Sequence, residues 1–190
     1  DSQNYGSVYY TDFYQMDLLS DELKDLLTTP VKEDDKLWKD MIKNHKQAAG
    51  MDIKADDFES FEQTCYQEYA MPVVLSDEVE AYLDSVTLGA KDELDILRAI
   101  EKELHSYSYS VHPGEMPQKV NDATSFLDYF LLEKKDGYCS HFATTFVLLA
   151  RAQGLPARYV QGFCVPMYGK REAVVMSDMA HAWPEVYIKD

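Results

Sequence analysis

Gly137-Tyr138-Cys139-Ser140-His141-Phe142-Ala143 is the stretch that decides the fold. A charged loop, Lys134-Lys135-Asp136-Gly137, leads into it, and an apolar run follows. That run, residues 139–153, reads as a helix with Phe142, Phe146, Leu149 and Ala150 facing inward. Gly154 closes the helix and Pro156 prevents its continuation. Beyond Pro156 the hydrophobic period changes from helical to alternating. Arg158 to Val165, Ala173 to Met176 and Ala180 to Ile188 read as strands, the first two joined through Pro166 to Arg171. Helices first and consecutive strands afterwards predict an α+β fold with an antiparallel sheet.

Upstream, the pattern is helical almost throughout. Residues 1–15 are rich in Tyr, Asp, Ser and Gln and read as a loosely docked lead-in. Ser20 is placed to cap a short helix bearing Leu23, Leu26 and Leu27. Residues 33–49 carry Leu37, Trp38, Met41, Ile42, His45 and Ala49 on one stripe, with Gly50 as the stop. Phe58, Phe61, Cys65 and Tyr69 share a further helical face, which Met71-Pro72 ends. Ser76-Asp77-Glu78 is a good start for a helix with Val79, Leu83 and Val86. Gly89 is a plausible joint. After it, Leu94, Leu97, Ile100 and Leu104 mark an amphipathic helix. Tyr107 to Val111 alternates like a short strand, His112-Pro113-Gly114 turns the chain, and Asp122 caps a segment with Phe126, Leu127, Phe130 and Leu131.

This organisation divides the chain at Gly89. Residues 1–88 are an acidic, mostly helical region with 20 acidic and 7 basic side chains; residues 89–190 hold 14 and 11. The overall charge of −16 makes a polyanion a poor partner, so nucleic acid is excluded as the expected ligand. No run of about 20 apolar residues appears, so no membrane-spanning helix is expected. The chain opens without an initiator Met or a signal-like segment, and reads as a piece of something longer.

Three cysteines do not make a disulfide framework. Cys65 lies on an apolar helical stripe and Cys164 in an apolar strand, where a buried, structural thiol is the ordinary reading. Cys139 differs because a helix begins at it. The free N–H groups of a first helical turn favour a thiolate, and they can donate to an oxyanion formed when that thiolate attacks a carbonyl. A distant histidine then completes a nucleophile–base pair. His181 is the candidate, in His181-Ala182-Trp183-Pro184-Glu185-Val186-Tyr187. Alternation puts His181, Trp183, Glu185 and Tyr187 on one face of its strand and Ala182, Val186 and Ile188 on the other. His141, two residues after Cys139 on the helix, points elsewhere and pairs poorly with it. Cys139, His141, Cys164 and His181 match no common zinc module.

These blocks resemble the transglutaminase-like superfamily. The resemblance rests on Gly137 to Ala143, on Leu149-Ala150-Arg151-Ala152-Gln153-Gly154-Leu155-Pro156-Ala157-Arg158-Tyr159-Val160-Gln161-Gly162-Phe163, and on His181 to Tyr187. It extends upstream through Phe130-Leu131, Asp122 and Tyr107-Ser108-Tyr109, and weakly to Tyr69-Ala70-Met71-Pro72. It is closest to bacterial, membrane-tethered members with an extracytoplasmic transglutaminase-like domain. It implies a papain-like core in which the nucleophile helix packs on an antiparallel sheet. Cys139 carries over as nucleophile and His181 as general base and acid; Arg158 belongs to a structural block and is expected to be ion-paired.

The resemblance further implies thioester chemistry on a glutamine carboxamide or peptide carbonyl, with no cofactor and no metal. A cysteine protease or amidase would use the same pair. A non-catalytic domain that binds cell-wall peptides or scaffolds a membrane complex is the reading from a different class. The expected partner is a protein or peptide, with cell-wall-associated peptides among the candidates, and the expected location is extracytoplasmic with a membrane anchor elsewhere in the full-length protein. Backbone N–H of Cys139 is half of the expected oxyanion hole, with a second donor from Tyr107 or Tyr109. The family's third catalytic residue, an acid on the next strand, is expected beyond Asp190, so the core reads as truncated. Pro184 departs from the family pattern and suggests an edge position or a bulge.

Overall fold

The structure, a computed structural model, describes residues 55–165 and 174–188. The lead-in, the helices expected at 20–27 and 33–49, the link at 166–171 and Asp190 lie outside the described residues. Three helices open the described part: α1 (Ala55–Tyr69), α2 (Asp77–Val86) and α3 (Glu93–Leu104). The start of α2 follows from Ser76, whose hydroxyl accepts from Val79 N–H, and three acids in the first turn suit the helix dipole. Asp92 caps α3 in the same way through Asp95 N–H. A short strand, β1 (Ser108–Tyr109), comes next.

Asp122 and Ser125 form a capping box at α4 (Ala123–Leu127), which runs on into a π-helical segment, Asp128–Lys134. Lys135 adopts a left-handed conformation (φ 48°) and ends it. The residues expected to form only a loop then make a second short strand, β2 (Asp136–Gly137), paired parallel to β1. This corrects both the loop at Lys134–Gly137 and the longer strand at Tyr107–Val111. The two strands pair over just two residues each, too few to leave an alternating signature in sequence.

Helix α5 (Cys139–Ala152) follows, and then β3 (Ala157–Phe163), a 3-10 turn (Ser177–Met179) and β4 (Ala180–Val186). β3 and β4 are antiparallel, in register from Ala157 opposite Val186 to Phe163 opposite Ala180. The strand expected over Ala173 to Met176 is absent where it can be seen. Val174, Val175 and Met176 are exposed and in no strand, because β3 takes β4 itself as its partner. Pro184 sits opposite Tyr159 in the regular register, on a strand whose sole neighbour among the described residues is β3. That is an edge position, where a missing N–H costs little.

The fold is α+β and papain-like, with α5 packed against both strands of the β3–β4 ladder. Buried Ala157 and Ala182 are small enough to let the sheet approach the helix. On the other side of α5, Leu149 joins Val79, Leu83, Ile100, Leu104, Leu127, Phe130 and Leu131 in one apolar core. That core draws on α2, so packing continues across Gly89. Ser76 donates to Asp128 at 2.5 Å and ties α2 to the π-helical segment. Cys65 is buried, as expected for a structural thiol, and burial pushes its pKa up. Cys164 is the opposite of its expectation. It is exposed, because β3 ends at Phe163 and leaves it at the strand's mouth.

Candidate active site

Cys139 is the first residue of α5 and is half-buried. No acidic side chain stands in the first turn of this helix, so nothing opposes the positive end of its dipole at the sulfur. The turn before it is pinned by β2. Ser108 N–H donates to Lys135 O (3.0 Å) and Ser110 N–H to Gly137 O (2.7 Å), which brings β1 alongside the nucleophile turn.

That pairing places Tyr109. Its hydroxyl lies against the thiol and the backbone N–H of Cys139, and its ring stacks on Phe142 with centroids 6.0 Å apart. Desolvation raises the phenol's pKa; the Cys139 amide pulls it down and the thiol pushes it up. The neutral phenol is thus the form present near neutrality, and it can donate a hydrogen bond. Between the two tyrosines expected near the oxyanion, the structure puts Tyr109 at the sulfur and Tyr107 behind it. Tyr107 is buried; its hydroxyl donates to Leu131 O (3.2 Å) and meets the Tyr82 hydroxyl at 2.9 Å. Tyr82 in turn donates to Glu103, and burial with that bond pushes its pKa well up. The Lys135 ammonium lies over both rings, 5.3 Å from that of Tyr82 and 5.2 Å from that of Tyr107. This network fixes β1 and so holds Tyr109 where it is.

His181 comes from the sheet, on β4 opposite Gly162, and is exposed. Trp183, on the same face two residues on, lies against Gly162; a Cβ there would come within 2.7 Å of the indole. Trp183 Nε1–H donates to Glu185 at 3.3 Å. The same carboxylate accepts from Arg158 at 2.8 and 2.5 Å, and the Arg158 guanidinium lies 5.8 Å from the centre of the Tyr69 ring. Arg158 is therefore ion-paired as expected, and the pair with Glu185 raises its pKa. These groups are about half exposed, so the pair's worth lies in bracing β4 more than in stability.

Cys139 and His181 line one cavity of about 770 Å³, together with Tyr109, Phe142, Phe146 and Trp183. One face of α3 supplies the far wall, with Leu94, Leu97, Arg98, Glu101, Leu104 and His105 at helical spacing. Sequence reading marked the helix as amphipathic through Leu94, Leu97, Ile100 and Leu104 and missed the polar members of this face. Their recurrence at three- and four-residue intervals with the leucines was the available signal. His141 faces away from the cavity, among Phe126, Phe130 and Tyr138. Cys164 lines no part of it. Among the described residues no group of three or more His, Cys, Asp or Glu could hold a metal ion, and no helix is long and apolar enough to cross a membrane.

A sequence model of the transglutaminase-like superfamily matches residues 80–190. The chain belongs to this superfamily. The match begins within α2. A relative, the uncharacterized protein YebA of Bacillus subtilis (strain 168), is 30% identical over 126 residues, covering 63% of this chain and 17% of that protein. Among solved structures, the periplasmic domain of TgpA from Pseudomonas aeruginosa superposes with a TM-score of 0.51 at 22% identity, over 66% of this chain and 43% of that one. The same domain bound to ethylmercury gives 0.51 at 23%, over 66% and 44%. The chain thus spans about a sixth of the curated relative and under half of the solved domain. Cys139 and Phe142 of the first motif block, and His181 and Trp183 of the last, line the cavity just described.

Proposed function

We propose that this chain is a catalytic core for acyl transfer through a cysteine thioester. The observation that carries it is the meeting of Cys139, His181 and Tyr109 at one cavity, with Cys139 at the head of a helix free of acid in its first turn. The Cys139 thiol gives its proton to His181, and the sulfur attacks a glutamine carboxamide or a peptide carbonyl. A carbon–sulfur bond forms and the carbonyl electrons move onto oxygen. Backbone N–H of Cys139 and the Tyr109 hydroxyl are the groups placed to receive that charge. The oxyanion collapses, the carbon–nitrogen bond breaks, and ammonia or an amine leaves with a proton from the His181 imidazolium. His181, neutral again, takes a proton from the acceptor as it attacks the thioester. The carbon–sulfur bond then breaks and His181 returns that proton to the sulfur, so an amine acceptor gives a cross-link and water gives hydrolysis.

The substrate is a protein or peptide. The apolar floor formed by Phe142, Phe146 and Trp183, with Arg98 and Glu101 on the wall, suits an extended chain carrying mixed side chains. Similarity to a periplasmic domain supports an extracytoplasmic site of action, where cell-wall peptides are available acceptors. Anchoring to the membrane belongs to the same proposal.

The test supplies a glutamine-bearing protein with a labelled primary amine. Incorporation of label that is lost in Cys139→Ala supports acyl transfer to amines. Ammonia release without incorporation, again lost in Cys139→Ala, makes the chain a hydrolase using the same thioester. Either activity persisting in Cys139→Ala refutes the proposal.

A further inference from the structure

His141 lies two residues from the proposed nucleophile and has no access to the cavity, yet it is built into the turn that carries Cys139. Its ring meets Tyr138 edge-on at 4.5 Å, stacks on Phe130 at 5.8 Å and tilts against Phe126 at 6.2 Å. Gly137 lies directly beneath it. A Cβ on Gly137 would fall 2.8 Å from His141 Cβ and 2.9 Å from its Cγ. The glycine's φ is not in the left-handed region, so space for this ring is its reason for being there.

The N-cap of α5 is Tyr138, whose side chain makes no capping hydrogen bond to the first turn. Its own backbone N–H donates to His141 Nδ1 at 3.4 Å. An aspartate or glutamate at the third helical position could accept the same proton, as in an ordinary capping box. It would also place a negative charge beside the thiol and oppose the helix dipole. A neutral imidazole closes the cap without that charge.

We propose that His141 is a positioning residue for Cys139, its Nδ1 accepting the Tyr138 amide and its ring, seated over Gly137, fixing the turn from which the thiol is presented. This rests on the reading of Cys139 as nucleophile. The role requires a neutral ring with the proton on Nε2. Burial holds the His141 pKa below its ordinary value; Asp136 on β2 opposes this and Lys134 at the end of the π-helical segment reinforces it. The other groups packed on the ring are Phe126, Phe130 and Tyr138.

The test is iodoacetamide alkylation of the full chain, mapped peptide by peptide, with exposed Cys164 as the internal reference. His141→Leu keeps bulk and removes the acceptor. It is expected to slow Cys139 about fivefold or more, the equivalent of one lost hydrogen bond, with Cys164 unchanged. His141→Asn, whose side-chain oxygen can stand where Nδ1 does, is expected to restore most of the rate. Equal Cys139 rates in wild type and both variants overturn the proposal. A wild-type Cys139 no faster than Cys164 overturns the nucleophile reading and this inference with it. Should His141→Leu fail to fold, nitrogen-15 NMR of the wild-type imidazole decides. An unprotonated Nδ1 with a protonated Nε2 at neutral pH supports the role, and the opposite tautomer overturns it.

Discussion

Replacing Gly137 by alanine puts one methyl group into a space that is already filled. The new Cβ would lie 2.8 Å from His141 Cβ, 2.9 Å from His141 Cγ and 2.9 Å from Phe130 Cε2. Real Cβ atoms do not approach this closely, so something must move. Phe130 is fully buried in the larger core and cannot yield without opening it. The His141 ring and the turn above it are what give way. Overpacking of this kind costs about 1–3 kcal/mol. Gly154→Ala is the matched control. Nothing lies within 4 Å of a Cβ there, but φ is +80°, and a left-handed alanine costs about 1–2 kcal/mol. The two variants are therefore expected to lose similar stability in urea unfolding. They should differ in chemistry: Gly137→Ala slows alkylation of Cys139, whereas Gly154→Ala, at the far end of α5, leaves it unchanged. A Gly137→Ala chain with a wild-type unfolding midpoint and wild-type Cys139 reactivity would refute the packing argument. So would equal slowing in both variants, since reactivity would then follow stability alone.

Tyr109→Phe removes the hydroxyl at Cys139 but keeps the ring on Phe142; acylation should fall about a hundredfold or more if the phenol serves as an oxyanion donor, with unchanged unfolding, and an unaltered acylation rate rejects that role. Phe130→Ala empties the centre of the core shared by α2, α3 and the π-helical segment and should cost about 3–5 kcal/mol in urea unfolding; a loss below about 1 kcal/mol would mean that the core is not continuous across these elements. The depressed pKa of His141 makes stability depend on pH. Between the folded value and the unfolded value of 6.5 the unfolded chain binds more protons, so this contribution is complete above the unfolded value and is lost as pH falls through it toward the folded one. Urea unfolding across that range should show a smaller pH slope in His141→Asn than in wild type, and identical slopes would contradict the assignment.

The helix and the two paired strands from Cys139 onward were legible because their signals are local. The apolar run after Cys139, Gly154 with Pro156, and the alternation through His181 to Ile188 each name one element, and the helix and both strands stand where they point. The β1–β2 pair was not legible. Two residues per strand carry no period, and the pairing depends on Lys135 turning left-handed and on the Tyr82–Tyr107 network, neither visible in a window of sequence. Val174 to Met176 misled for the converse reason, since β-branched residues favour a strand only where a partner edge exists. The roles of Cys139 and His181 were proposed from type and spacing, and the structure adds that they share a cavity. The reason for His141 needed coordinates, because only the ring's neighbours show that it serves the turn and not the cavity.

The central claim, that Cys139 forms an acyl intermediate with the help of His181, is tested most directly without knowing the natural substrate. The full chain is mixed with p-nitrophenyl acetate, the release of p-nitrophenol is followed, and the acetylated residue is located by mass spectrometry. The account predicts a burst of one equivalent, an acetyl group on Cys139, and loss of the burst in His181→Ala. An acetyl group on exposed Cys164 in place of Cys139, or a burst of the same rate in His181→Ala, would contradict it.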